Sequence, residues 1–122
     1  MRALIVDDSR FVVSYLRGLL ASLEIECEEA SDGQAGLDLL AAGHRFELAL
    51  IDWNMPVMNG LEMVKRIRAA GFTELKVMMV TTESENDFIL GALEAGVDEY
   101  LMKPFDREAL REKLAILGLV ES

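Results

Sequence analysis

Four short aliphatic runs punctuate the chain: Ala3-Leu4-Ile5-Val6, Leu48-Ala49-Leu50-Ile51, Val77-Met78-Met79-Val80 and Tyr100-Leu101-Met102. Runs of this length with no polar alternation suit strands buried on both faces, as in a parallel sheet. Ile25 to Glu29 alternates apolar with acidic residues, which predicts an edge strand with one wet face.

Between these runs the hydrophobic period becomes helical. Val12, Val13, Leu16, Leu19, Leu20 and Leu23 share one face, opened by Ser9 as N-cap. Ser31-Asp32-Gly33-Gln34 reads as a capping box ahead of Leu37, Leu39 and Leu40. Asn59-Gly60-Leu61-Glu62 opens a third helix through Val64 and Ile67, which Gly71 stops. Ser84-Glu85-Asn86-Asp87 leads into a fourth, ended by Gly96, and Asp106 caps a fifth carrying Leu110, Leu114 and Leu117. Five strands alternating with five helices predict an α/β fold with a doubly wound five-stranded parallel sheet. No linker, repeat or low-complexity stretch divides residues 1–122, which read as one domain.

The net charge of −10, from 12 basic and 22 acidic side chains, argues against nucleic acid as a partner. Cys27 is the only cysteine, so neither an intrachain disulfide nor a thiolate metal cluster is available, and its strand position suits packing. The apolar stretch after Met1 is too short for a signal-peptide core or a membrane span. The expectation is a cytoplasmic protein with no membrane contact. The methionines at 55, 58, 63, 78, 79 and 102 read as pliable packing.

In a doubly wound sheet, ligands bind beyond the carboxyl ends of the strands, where strand order reverses. Asp7 and Asp8 follow the first strand, Asp52 the third, Thr81 the fourth and Lys103 the fifth. In a 2-1-3-4-5 order, strands one and three are neighbours, so the three aspartates share a pocket. Two carboxylates about 4 Å apart repel by roughly 4 kcal/mol at an effective dielectric near 20. A divalent cation held through carboxylate oxygens relieves this, and Mg²⁺ favours few protein ligands plus phosphate. An aspartate beside Mg²⁺ and a lysine can attack a phosphoryl group and become an acyl phosphate. Its new oxygens would then lie within reach of Thr81 and Lys103, a charge change able to bias a two-state element. Taken singly, each of these residues is an ordinary cap or loop residue; the joint placement after four strands carries the reading.

The combination of Asp7-Asp8, Asp52-Trp53-Asn54-Met55-Pro56 with Gly60, Thr81-Thr82 and Lys103-Pro104-Phe105 resembles the receiver domain of two-component response regulators. The likeness covers essentially the whole chain, and around Asp52 to Ala69 it is to the stand-alone chemotaxis regulators. It implies a flavodoxin-like fold and the 2-1-3-4-5 strand order. It also implies that Asp52 is the phosphoacceptor, fed by a partner histidine kinase. Asp7, Asp8 and Asp52 would hold Mg²⁺ with the Asn54 carbonyl, either member of the acidic pair being the direct ligand. Lys103, before a cis bond to Pro104, would bind the phosphoryl oxygens. Thr81 and Tyr100 would form the switch, and Asn54 with Glu83 would tune self-dephosphorylation.

The fourth helix opens Glu85-Asn86 where the chemotaxis regulators carry lysines that help hold an acidic motor peptide, whereas Lys113 is kept. Like charge weakens docking of an acidic partner. That helix also lacks the basic residues of the dimer interface of DNA-binding regulators, and the expectation is a monomer with no output domain after Ser122. The output face is the surface of helix four, strand five and helix five. Its partner would be a flagellar motor switch, or a histidine phosphotransfer protein if the chain is a phosphate shuttle or sink.

Rival classes fit less well. Small phosphatases with an aspartate nucleophile carry Asp-x-Asp after the first strand, not an adjacent pair, and this chain leaves no room for a substrate cap. The spacing of Gly91 and Gly96 matches a P-loop, but Val97-Asp98 replaces the Lys-Ser/Thr that would engage phosphate. His44 lies in a loop-like stretch and reads as solvated.

Overall fold

The computed structural model describes residues 1–82 and 86–121, with the side chains of residues 86–88 outside that description. Its elements run β1 (Arg2–Val6), α1 (Arg10–Ser22), β2 (Glu26–Ala30), α2 (Gly33–Ala41), β3 (Leu48–Asp52), α3 (Gly60–Ala69), β4 (Lys76–Thr81), α4 (Asn86–Ala95), β5 (Glu99–Met102) and α5 (Arg107–Ile116). All neighbouring strands are parallel and ordered β2-β1-β3-β4-β5. The architecture is the expected doubly wound sheet.

Successive side chains of a strand face opposite sides, so each aliphatic run serves two cores. Ala3, Ile5, Leu48, Leu50, Met78 and Leu101 meet Leu16 and Leu20 of α1 and Leu110 and Leu114 of α5. Leu4, Val6, Ala49, Ile51, Val77 and Met79 meet Leu40 of α2, Met63 and Ile67 of α3, and Ala92 of α4. That double burial is why the central runs lack alternation. Fully burying one such leucine or isoleucine stabilises the fold by roughly 1.5–3 kcal/mol over leaving it exposed.

Capping follows the sequence with one correction. The side chains of Ser9, Asn59 and Asp106 accept the N–H groups of Val12, Glu62 and Ala109, as expected. The second helix, however, has no reciprocal capping box. Asp32 is its N-cap, accepting from Ala35 N–H at 2.7 Å, and Gln34 donates to Asp38 instead. Asp32 has the extended backbone a cap requires. Its position one residue after Ser31 puts Gln34 at the wrong spacing to reach back.

Strand ends also differ slightly. β2 is shifted one residue forward, and Asp52 and Thr81 are the last residues of their strands rather than the first beyond them. Ladder contacts reach that far: Asp52 pairs with Val80, and Thr81 with Met102.

Candidate functional site

The register of the sheet gathers the polar residues. Val6 pairs with Ile51, so Asp7 and Asp52, each one residue further on, are neighbours. Thr81 pairs with Met102, and the next N–H, that of Lys103, bonds the Thr81 carbonyl at 2.8 Å. These residues line the carboxyl edge of the central strands.

Asp7 and Asp52 are buried, at 3% and 6% exposure, whereas Asp8 is exposed. The Asp7 N–H continues the ladder to the Ala30 carbonyl at 3.1 Å. Its Oδ1 accepts the Ser9 N–H at 2.8 Å, so the residue that caps α1 also orients this carboxylate. Asp7 Oδ2 is buried with no hydrogen bond among the described residues and lies 3.6 Å from Lys103 Nζ. The same ammonium donates to Asp52 Oδ1 at 3.2 Å. One cation is thus shared by two buried carboxylates.

Burial is the largest influence on the Asp52 carboxyl and pushes its pKa above the ordinary value, with the Asp7 charge adding to the rise. Lys103 and the Asn54 backbone N–H oppose it. A further cation at this edge would favour the ionised, nucleophilic form.

Asp7, Asp8 and Asp52 each offer a carboxylate oxygen within 4.8 Å of the others. Such an all-oxygen, anionic donor set suits a hard divalent cation. The buried Oδ2 of Asp7, without a hydrogen bond, is the specific mark of a missing partner. Mg²⁺ fits these residues.

The β3–α3 loop holds Asp52 tightly from below. Gly60 N–H bonds the Trp53 carbonyl at 2.9 Å. A Cβ at Gly60 would lie 2.5 Å from the Asp52 carbonyl oxygen and 3.0 Å from Trp53 Cα, so no larger residue fits there. In the same loop Val57 has φ 67°, a conformation unfavourable for a β-branched residue, and its side chain is fully exposed.

The other expected site residues divide. Thr81 is buried at the end of β4. Asn54 is exposed and touches the cluster through its backbone N–H to Asp52. Tyr100 pairs with Met79, set back from the sheet edge, and is half-buried against the α2–α3–α4 core. The Lys103–Pro104 bond is cis. Glu83, and the Ser84-Glu85 opening of the fourth helix, lie outside the described residues.

One feature of the site escaped the sequence. A cavity of about 460 Å³ beside Lys103 is lined by Phe11, Val12, Tyr15, Thr82, Lys103, Pro104 and Phe105. Tyr15 Oη donates to the Phe105 carbonyl at 2.8 Å, and the two rings lie 5.6 Å apart. Phe11 is 79% exposed. Its signal was present: it is a large aromatic outside the apolar stripe of α1, just after the acidic pair.

Residues 3–115 match the family model described as the response regulator receiver domain. The chain belongs to the response regulator receiver domain family. Receiver domains are signalling domains of two-component systems, and membership implies a histidine kinase as partner. Among its relatives is a chemotaxis protein CheY homolog of Campylobacter jejuni, 40% identical over 97% of this chain and 93% of the relative. The chemotaxis protein CheY1 of Helicobacter pylori is 39% identical over 96% of both chains. In three dimensions the chain resembles the chemotaxis protein CheY4 of Vibrio cholerae, with a TM-score of 0.87, 31% identity and 98% of both chains covered. Among the described residues of this receiver domain, no helix is long and apolar enough to cross a membrane.

Proposed function

We propose that this receiver domain is a cytoplasmic, monomeric switch in which Asp52 accepts a phosphoryl group from a phosphohistidine of its partner kinase. The observation that carries the reading is the shared ammonium: Lys103 Nζ lies 3.2 Å from Asp52 Oδ1 and 3.6 Å from Asp7 Oδ2, inside a three-carboxylate cluster. An Asp52 oxygen attacks phosphorus as the P–N bond to the donor imidazole breaks, and the departing nitrogen keeps the electron pair. Lys103 neutralises charge on the phosphoryl oxygens through the transfer. Asp7, Asp8, Asp52 and the Asn54 carbonyl would hold Mg²⁺, which supplies further neutralisation of the same oxygens when bound. The apolar cavity beside Lys103 gives the kinase a surface from which to present its histidine.

Phosphorylated Asp52 offers acceptor oxygens to the Thr81 hydroxyl, and Tyr100 follows Thr81 to change the surface of α4, β5 and α5. Asn54 and Glu83 set the lifetime of the phosphorylated state. The chemotaxis relatives support an output in chemotaxis, and a motor-switch protein is the partner that the family resemblance implies for it.

Incubation with Mg²⁺ and a small phosphodonor such as acetyl phosphate should add one phosphoryl group and change the fluorescence of Trp53, the buried neighbour of Asp52. Asp52→Asn should abolish both the mass increase and the fluorescence change. Labelling that persists in that variant overturns the assignment. Phosphoryl transfer onward to a histidine protein, without phosphorylation-dependent capture of a motor-switch peptide, would replace the chemotaxis output with a relay.

A further inference from the structure

β5 is an outer strand of the sheet, so half of its backbone groups face no neighbouring strand. Lys103 N–H faces β4, and by the alternation of the ladder the Tyr100 N–H faces the open side. That group donates to Glu99 Oε1 at 3.0 Å. The same oxygen accepts from Lys113 Nζ at 3.1 Å, and this ammonium lies 4.4 Å from the centroid of the Tyr100 ring. The Glu99 and Lys113 side chains keep only 16% and 27% of their exposure, so the pair is screened less than a surface pair.

The three residues join opposite sides of the sheet. Tyr100 packs with the α2–α3–α4 core, whereas Lys113 belongs to α5, which packs with α1 on the other face. Lys113 therefore reaches around the open edge to hold the ring from outside, and Glu99 fixes it there.

We propose that Glu99 and Lys113 are positioning residues that clasp Tyr100 in its resting place, so that the clasp must open before Tyr100 can move. This rests on the reading of Asp52 as acceptor and Tyr100 as part of the switch. An interaction made in only one of two states lowers the apparent affinity of any ligand that selects the other. The clasp thus opposes activation and sets how much of the output face a given occupancy of Asp52 converts.

The test is a titration of beryllofluoride, a phosphoryl mimic, at saturating Mg²⁺ with Trp53 fluorescence as readout. Glu99→Gln and Lys113→Met should each lower the apparent Kd by about three- to tenfold, and Lys113→Arg should stay within about twofold of wild type. In a Tyr100→Ala background, Glu99→Gln should change nothing, because the group it positions is gone. Wild-type affinity in both single variants, or an effect that survives in the Tyr100→Ala background, overturns the clasp alone. A wild-type chain that ignores beryllofluoride overturns the acceptor reading, and the clasp with it.

Discussion

Two polar clusters lie at opposite edges of the same sheet, and they are built on opposite principles. At the amino edge of β4 and β5, Arg68 spends every donor of its guanidinium. Nε and Nη2 bond the Gly96 carbonyl at 3.1 and 2.8 Å, Nη1 bonds the Phe72 and Leu75 carbonyls, and Nη2 also pairs with Asp98 at 2.9 Å. Asp98 in turn accepts the Val77 N–H at 2.8 Å. Gly96 completes the arrangement: its φ of +108° ends α4, and a Cβ there would meet the Arg68 side chain at 2.9 Å. At the carboxyl edge, one lysine serves two buried carboxylates and Asp7 Oδ2 accepts no hydrogen bond among the described residues. A satisfied network rigidifies the fold, whereas an unsatisfied one stores a demand for a ligand. The molecule is anchored at one edge and poised at the other.

The contrast can be broken by substitutions that should move stability in opposite directions. Arg68→Ala should cost about 2 kcal/mol in urea unfolding, because it strands three partly buried loop carbonyls. A loss below about 1 kcal/mol would mean that water replaces the guanidinium easily. Asp7→Asn keeps the acceptor for Ser9 N–H but removes one negative charge, so without metal it should gain about 1 kcal/mol. Mg²⁺ should raise the Tm of the native chain, and the same variant should lose most of that rise. A destabilised Asp7→Asn chain would show that the carboxylate pair is better compensated than its geometry indicates.

The smallest effect lies at the rim, where Glu29 is bonded by Arg17 and Arg10. Those hydrogen bonds, Arg17 first, hold the Glu29 carboxyl below its ordinary pKa. Its contribution is therefore present above the ordinary carboxylate range and lost as the pH falls through the depressed value. Arg17→Ala should cost less than about 1 kcal/mol near neutrality, and the difference from wild type should shrink in acid. A pH-independent difference would assign the loss to packing of the arginine stem instead.

How legible the site was depended on whether a residue's role follows from its place in a strand. The placement of Asp52, Thr81 and Lys103 was legible because a parallel sheet forces the ends of its central strands to one edge. The cap of α2 was misplaced because Ser31 and Asp32 are equally good cap residues, and the backbone conformation at Asp32 chose between them. Glu99 gave no local signal at all: its partner Lys113 is fourteen residues away, across a strand edge.

The sequence by itself determined the alternation of strand and helix, and with it which residues could meet, because hydrophobic period and burial on two faces are properties of local order. Only the tertiary structure separated Asp7 from Asp8. The ladder bond to Ala30 and the Ser9 N–H carry Asp7 inside, while its neighbour stays exposed. Tertiary structure likewise decided that Lys103 is divided between two carboxylates and that Lys113 is already engaged by Glu99 and Tyr100. Such choices depend on distances between segments far apart in the chain, which no pattern of neighbouring residues encodes.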